Sequence, residues 1–233
     1  MLKSKKFERY NENLPYSYVF GAFGTIELLK NKLSECIAII VDPSFVENEA
    51  FILIKKLVLN TNVEIIVDFN LINKLRDKGN IFVIGVFKKY SYPLSNSNHL
   101  ALYKINDYGT IGTIIRSMRG FDYENLVLID CDIDLYNEHL IRSTMGAFFS
   151  CNIECFKEIN DYLKKYPTLN YINISNNSSN ESFSKVTYTT QSSIIFSLKA
   201  INNDSIKCYS FKENLPLENI VNIALFSNYQ SRK

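Results

Sequence analysis

Apolar residues in this chain come in two rhythms. Short unbroken runs, CIAIIV (36–41), VEIIV (63–67), IFVIGVF (81–87), HLALYKI (99–105) and LVLI (126–129), have the pattern of strands buried on both faces. Between them lie stretches with helical spacing. In TIELLKNKL, after Gly21 and Gly24, Ile26, Leu29 and Leu33 share one face, and Thr25 stands where an N-cap would. ENEAFILIKKLVLN (47–60) and NLINKLRDKG (70–79), closed by Gly79, are predicted as helices. Further on, Ile111, Ile114, Ile115 and Met118 mark an apolar helix face, and residues 137–146 form another predicted helix. FKEINDYLKKY (156–166) places Phe156, Ile159, Tyr162 and Leu163 inward, TLNYINI (168–174) is a strand, and NNSSNES (176–182) is a polar loop. LENIVNIALFSNY (217–229) supplies a last amphipathic helix. Buried strands alternating with helices predict an α/β fold.

The 233 residues allow one large domain or two small ones. The polar stretch Lys88–Asn98, with Pro93, three serines and two asparagines, interrupts the apolar pattern and has the composition of a linker. It divides a layer of about ninety residues from the remainder of the chain. Hydrophobic content of 46% and charge of 21% are those of an ordinary globular protein. A net charge of +2 does not mark a nucleic-acid binder, although a local basic patch would suffice for one. Lys3, Lys5, Lys6 and Arg9 form a short basic arm, read as a frayed terminus.

Five cysteines (Cys36, Cys131, Cys151, Cys155, Cys208) without a CxxC pair, beside two histidines, argue against a zinc site and for reduced thiols. Asp130, Asp132 and Asp134 alternate between a strand and a helix and are read as solvated, not as metal ligands, so no metal is expected. His99 reads as a surface residue at a strand end, and His139 as a surface residue of its helix. The amino-terminal segment has no signal-peptide pattern and no run reaches membrane-spanning length, so a cytoplasmic location without membrane contact is expected.

The most informative stretch runs from Asn106 to Gly146. Gly109 and Gly112 are read as a turn opening an apolar-periodic helix that carries Arg116. Glycine permits close backbone approach, and a helix start favours an anion. A helical arginine is usually solvated or paired, but a guanidinium also matches phosphate oxygens with a rigid fork of donors. Arg142, followed by Ser143 and Thr144, could bind phosphates or could pair with Glu138 one turn away.

Taken together, this stretch resembles the SpoU/TrmH family of RNA ribose methyltransferases, within the SPOUT superfamily. The family's first motif reads Asn-x-Gly-x-x-x-Arg, and a later helix reads Arg-Ala-Ser-Met-Gly. Gly112 and Arg116 match the first; Arg142, Met145 and Gly146 match the second; Thr110 stands in place of the asparagine. The resemblance implies a small α/β substrate-binding-type domain over 1–90 and a linker over 91–98. A SPOUT-type methyltransferase domain over 99–233 would then close in a C-terminal trefoil knot. It implies methyl transfer from S-adenosylmethionine to a ribose 2′-hydroxyl of rRNA or tRNA, and a homodimer. Arg116 becomes the catalytic candidate, orienting the hydroxyl and its phosphate, because a guanidinium holds its proton too tightly to be a good base. Thr110, Gly112, Arg142 and Ser143 become RNA contacts. Phe196, Ser197, Leu198, Ile206, Cys208, Leu215 and Pro216 become cofactor contacts.

The last sixty residues depart from the family pattern. Its second motif resembles Phe-Gly-Asn-Glu, and here Ser197 replaces the glycine and Lys199 the glutamate. Its third, Ser-Leu-Asn before the final helix, aligns with Asn214, Leu215 and Pro216. Close approach to a bent cofactor is what glycine permits and a side chain tends to block. A second reading is therefore an inactive SpoU-like RNA-binding protein that has lost its cofactor.

Overall fold

Each of these apolar runs becomes a strand, and the strands sort into two sheets. A computed structural model describes residues 7–76, 80–175, 181–189, 191–198, 201–213 and 215–232. In chain order the elements begin with Tyr16–Phe20 (β1), Ala22–Asn31 (α1), Cys36–Val41 (β2), Glu49–Leu57 (α2), Glu64–Val67 (β3), Phe69–Leu75 (α3) and Val83–Lys88 (β4). Next come His99–Tyr103 (β5), Tyr108–Gly120 (α4), Asn125–Ile129 (β6), Glu138–Ser143 (α5), Asn152–Phe156 (β7), Ile159–Lys165 (α6) and Asn170–Ser175 (β8). Glu181–Ser182 (β9), Ser192–Ser197 (β10), Ile206–Ser210 (β11) and Leu217–Ser231 (α7) complete the chain. Packing divides it into two compact units, Met1–Tyr90 with Asp134–Ser150, and Ser91–Ile133 with Cys151–Lys233. The polar stretch read as a linker thus lies at the start of the second unit, while 134–150 packs with the first.

In the first unit the sheet order is β1-β4-β2-β3, with β4 antiparallel to both neighbours and β2–β3 parallel. Tyr18, Ala38, Ile40, Ile72, Ile84 and Val86 form its core on one face. On the other, α1 lies close because Gly85 has no side chain; a Cβ there would stand 2.8 Å from Val19 Cγ1 and 3.1 Å from Leu28 Cδ2. The start of α1 differs from the sequence reading. Its N-cap is Gly21, at φ 94°, and Thr25 sits inside the first turn with its hydroxyl donating to the Gly21 carbonyl. The buried face holds Thr25, Glu27, Leu28 and Leu29 rather than Ile26 and Leu33. Gly79 and the three lysines of the basic arm lie outside the described residues.

The second unit carries a parallel sheet in the order β7-β6-β5-β10-β8-β11-β9. Its central strands are buried along their whole length, as strands covered on both faces must be. Strands β1, β7, β9, β10 and β11 are not among the strands that the sequence predicts. The helix expected over 156–166 is α6 alone, and Phe156 belongs to β7, where it packs toward the core with Tyr162 and Tyr166. Of the polar loop 176–182, Glu181 and Ser182 pair with β11, and 176–180 lie outside the described residues.

His99 is the clearest correction. It is completely buried, with Nε2 2.8 Å from the Ser95 carbonyl and Nδ1 2.9 Å from the Tyr162 hydroxyl, which lies 2.7 Å from Ser193 Oγ. The Ser95 carbonyl can only accept, so Nε2 bears a proton. Tyr162→Phe strands two buried polar atoms at about 1–3 kcal/mol each, so a loss of about 2–6 kcal/mol in urea unfolding is expected. Burial lowers the His99 pKa from its ordinary 6.5. The unfolded chain therefore takes the proton more readily, and the stability due to this ring, whole above pH 6.5, falls as the pH drops through the folded value. Unfolding at about pH 7.5 and pH 5.5 checks this, and His99→Gln is expected to flatten the difference.

Candidate functional site

The chemistry-bearing stretch of the second unit begins at α4. Asp107 is its N-cap; its carboxylate accepts from the Thr110 N–H at 2.7 Å, and that bond is the main cause of its lowered pKa. The helix start is thus already occupied by an anion from its own chain. Gly109 and Gly112 are not a turn before the helix but part of its first two turns, and Gly112 is buried. Helical geometry continues through both because the Asp107 cap and the apolar face of Ile111, Ile114, Ile115 and Met118 outweigh their low propensity. The Thr110 hydroxyl donates to Glu218 Oε1 at 2.8 Å, which ties α4 to the first turn of α7. Further along, the Tyr123 hydroxyl donates to Asn228 Oδ1 at 2.9 Å, and Arg232 donates to the Phe121 carbonyl.

Arg116 stands near the middle of α4, on the face away from that apolar stripe, and is exposed. Among the described residues no hydrogen bond or ion pair engages its guanidinium. A charged fork held on a helix by a packed apolar face, with its donors uncommitted, is suited to an external phosphate or ribose.

Arg142 and Ser143 fall in the first unit, on α5. Asn137 caps this helix, and it ends at Ser143, earlier than the predicted 146. The stop is conformational: Met145 at φ 47° and Gly146 at φ 84° are left-handed and cannot extend a helix. The Arg142 guanidinium lies 5.3 Å from the centre of the Phe20 ring, with Nη2 buried and without a hydrogen-bond partner. The Ser143 hydroxyl donates to the Leu140 carbonyl at 2.7 Å. His139 is exposed, as read.

The three aspartates take separate tasks. Asp130 pairs with Lys104, the Asp132 N–H donates to Asn106 Oδ1, and Asp134 accepts from the Tyr10 hydroxyl and the Tyr136 N–H. Among the described residues no three His, Cys, Asp or Glu side chains converge as a metal site would require. Nor is any helix among them long and apolar enough to cross a membrane.

Of the expected cofactor residues, Phe196, Ser197 and Leu198 lie at and after the carboxyl end of β10, where open parallel sheets bind ligands, whereas Ile206 opens β11 and Cys208 stands in its middle. Phe196 and Ser197 are buried in β10, and Leu198 just past it is 62% exposed. Ile206 is buried in β11, and the Cys208 thiol donates to the Ile201 carbonyl at 3.5 Å. Leu215 and Pro216 precede α7, with Pro216 as its N-cap. Lys199 and Asn214 lie outside the described residues. Ser197 does not reach outward from the sheet: its hydroxyl accepts from Asn173 Nδ2 at 2.9 Å. The departure expected to obstruct a cofactor is therefore folded inward. Asn173 and Glu218 escaped the sequence reading because each has its partner on a distant element.

Residues 97–197 match the model of the SpoU rRNA Methylase family. A comparison with curated proteins finds no match. Among solved structures, an rRNA methyltransferase from Sinorhizobium meliloti is similar at a TM-score of 0.72 and 16% identity, over 93% of this chain and 87% of that one. The SpoU methyltransferase AviRb from Streptomyces viridochromogenes, in complex with AdoMet, gives 0.72 and 14%, over 94% and 91%. An RNA 2′-O ribose methyltransferase gives 0.70 and 14%, over 94% and 89%. At such identities the structural likeness establishes the fold.

Proposed function

We propose, on the premise that residues 97–197 belong to the SpoU rRNA methylase family, that this protein is an S-adenosylmethionine-dependent methyltransferase. It acts on a ribose 2′-hydroxyl of cytoplasmic rRNA or tRNA. The observation that carries this is Arg116, which matches the family's first motif and stands exposed on α4 without a partner among the described residues. The inactive reading is not favoured, since the family match runs through the whole of β10 and the one described departure there, Ser197, is turned into the sheet.

The residues present fit the donor. Parallel strands β10, β8 and β11 end side by side, the Ser197 hydroxyl is drawn inward, and the buried Asn173 Oδ1 has no partner. Phe196, Leu198, Ile206, Cys208, Leu215 and Pro216 would hold it, and Ser197, its hydroxyl drawn into the sheet, would make no side-chain contact with it. When bound, S-adenosylmethionine would supply an electrophilic methyl group to the ribose 2′-oxygen, which would release its proton to solvent water. Arg116 does not take that proton, because a guanidinium stays charged at any working pH. It orients the ribose and its adjacent phosphate, so that rate comes from positioning and from a fixed positive charge. Thr110 and Gly112 enter as its neighbours on α4, and Arg142 and Ser143 as a second RNA-side pair carried by the first unit. Residues 1–90 are proposed as substrate-binding, and a trefoil knot and a homodimer belong to the same reading.

Binding to the native state alone raises stability, by about 2.7 kcal/mol at a hundredfold excess of ligand over Kd. A rise in melting temperature with S-adenosylmethionine is therefore expected. With labelled cofactor and bulk rRNA or tRNA, label should enter at sites that then resist alkaline cleavage, since that cleavage needs a free 2′-hydroxyl. No thermal shift and no incorporated label would overturn the proposal.

A further inference from the structure

Three neighbouring strands of the parallel sheet end in register on serine: Ser197 of β10 faces Ser175 of β8, which faces Ser210 of β11. All three are almost completely buried. Residues in register share a face of a parallel sheet, as do residues two apart on one strand, so Asn173 lies on that face just before Ser175. Its side chain is fully buried and reaches across to β10, where Nδ2 donates to the Ile195 carbonyl at 3.0 Å and to Ser197 Oγ at 2.9 Å. Oδ1 has no hydrogen-bond partner. A carboxamide left short of one bond is a costly choice between Ile172 and Ile174 of a buried strand, where isoleucine or valine would pack at no such cost. The sheet does not need it. What it does is donate to the Ser197 hydroxyl.

We infer that Asn173 is a positioning residue for the cofactor: by holding the Ser197 hydroxyl within the sheet, it lets a serine stand where the family pattern has glycine and leaves the end of β10 open to the adenosyl donor. The inference rests on the cofactor reading under Proposed function. The two side chains act as a unit, and neither departure is tolerated without the other. Without Asn173, the hydroxyl of Ser197 turns to other rotamers and obstructs the ligand. With glycine at 197, no hydroxyl remains to be held and Asn173 becomes dispensable for binding.

The test is a double-mutant cycle on the full chain, with S-adenosylmethionine and S-adenosylhomocysteine titrated calorimetrically. Ser197→Gly is expected to bind within about threefold of wild type, and Asn173→Val about tenfold or more weakly, within the range of coupling seen for touching residues. The double variant should return to within about threefold of wild type. Equal weakness of Asn173→Val and the double variant would show Asn173 acting on its own and overturn the inference. A large loss on Ser197→Gly would do the same, by making the serine itself a ligand contact. A buried packing role alone would lower the melting temperature of Asn173→Val without this rescue. If Asn173→Val does not fold, Ser197→Gly and Ser197→Ala decide: both bind as wild type if the hydroxyl only needs holding, and a drop of about tenfold in either sinks the idea. Wild-type protein that takes up neither ligand rejects the cofactor reading itself, and this inference with it.

Discussion

Arg116→Ala is expected to lower methyl transfer, measured in single turnover with saturating cofactor, by about 10- to 150-fold, the range set by losing a hydrogen bond to a charged group worth about 1.5–3 kcal/mol. Its stability should stay within about 0.5 kcal/mol of wild type, since the side chain is exposed and engages no partner among the described residues. That separation of effects is what distinguishes a substrate-facing guanidinium from a structural one. Arg116→Lys keeps the charge but not the planar fork, and it should recover only part of the loss. Cofactor binding, measured apart from transfer, should be unchanged in both. Wild-type turnover by Arg116→Ala would remove the residue from the site and take the proposed mechanism with it.

The second large effect concerns folding. Gly146→Ala places a side chain where φ is 84° and where its Cβ would stand 2.9 Å from Glu27 Cγ and 3.0 Å from Glu27 Cβ. Glu27 is itself buried on α1 and has little room to move. Left-handed backbone costs a residue with a side chain about 1–2 kcal/mol, and overpacking adds about 1–3, so a loss of about 2–5 kcal/mol is expected. At about 2–4 °C per kcal/mol for a chain of this length, the melting temperature should fall by roughly 4–20 °C. Gly120→Ala is the control: a Cβ there meets nothing within 4 Å, at the end of α4, and the change should be neutral or slightly stabilising. The glycine that ends the Arg-Ala-Ser-Met-Gly pattern, Gly146, is thus explained by packing within the first unit, whatever else that pattern does. If both variants melt alike, that explanation fails.

Much of this was legible in the order of residues. Strand β2 is legible to the residue, and β5 and β6 are evident, because strands covered on both faces are written as unbroken apolar runs. Strand β1 is not, since YSYVF mixes aromatic and polar residues, and β7 is absorbed into the helix after it. The glycines of α4 were taken for a turn because propensity was weighed without the Asp107 cap. Gly146 was recognised by its motif, but nothing local announces that Glu27 lies against it.

The sequence by itself determined the class of fold, the place of Arg116 on a helix with an apolar face, and the family likeness of residues 106–146. Only the tertiary structure decided which polar groups meet: Thr110 with Glu218, His99 with Tyr162, and Asn173 with Ser197. The physical reason is strand order. Periodicity along a chain says which face of an element is buried. It does not say that β10 inserts between β5 and β8, and that insertion chooses the neighbour of every side chain on those strands.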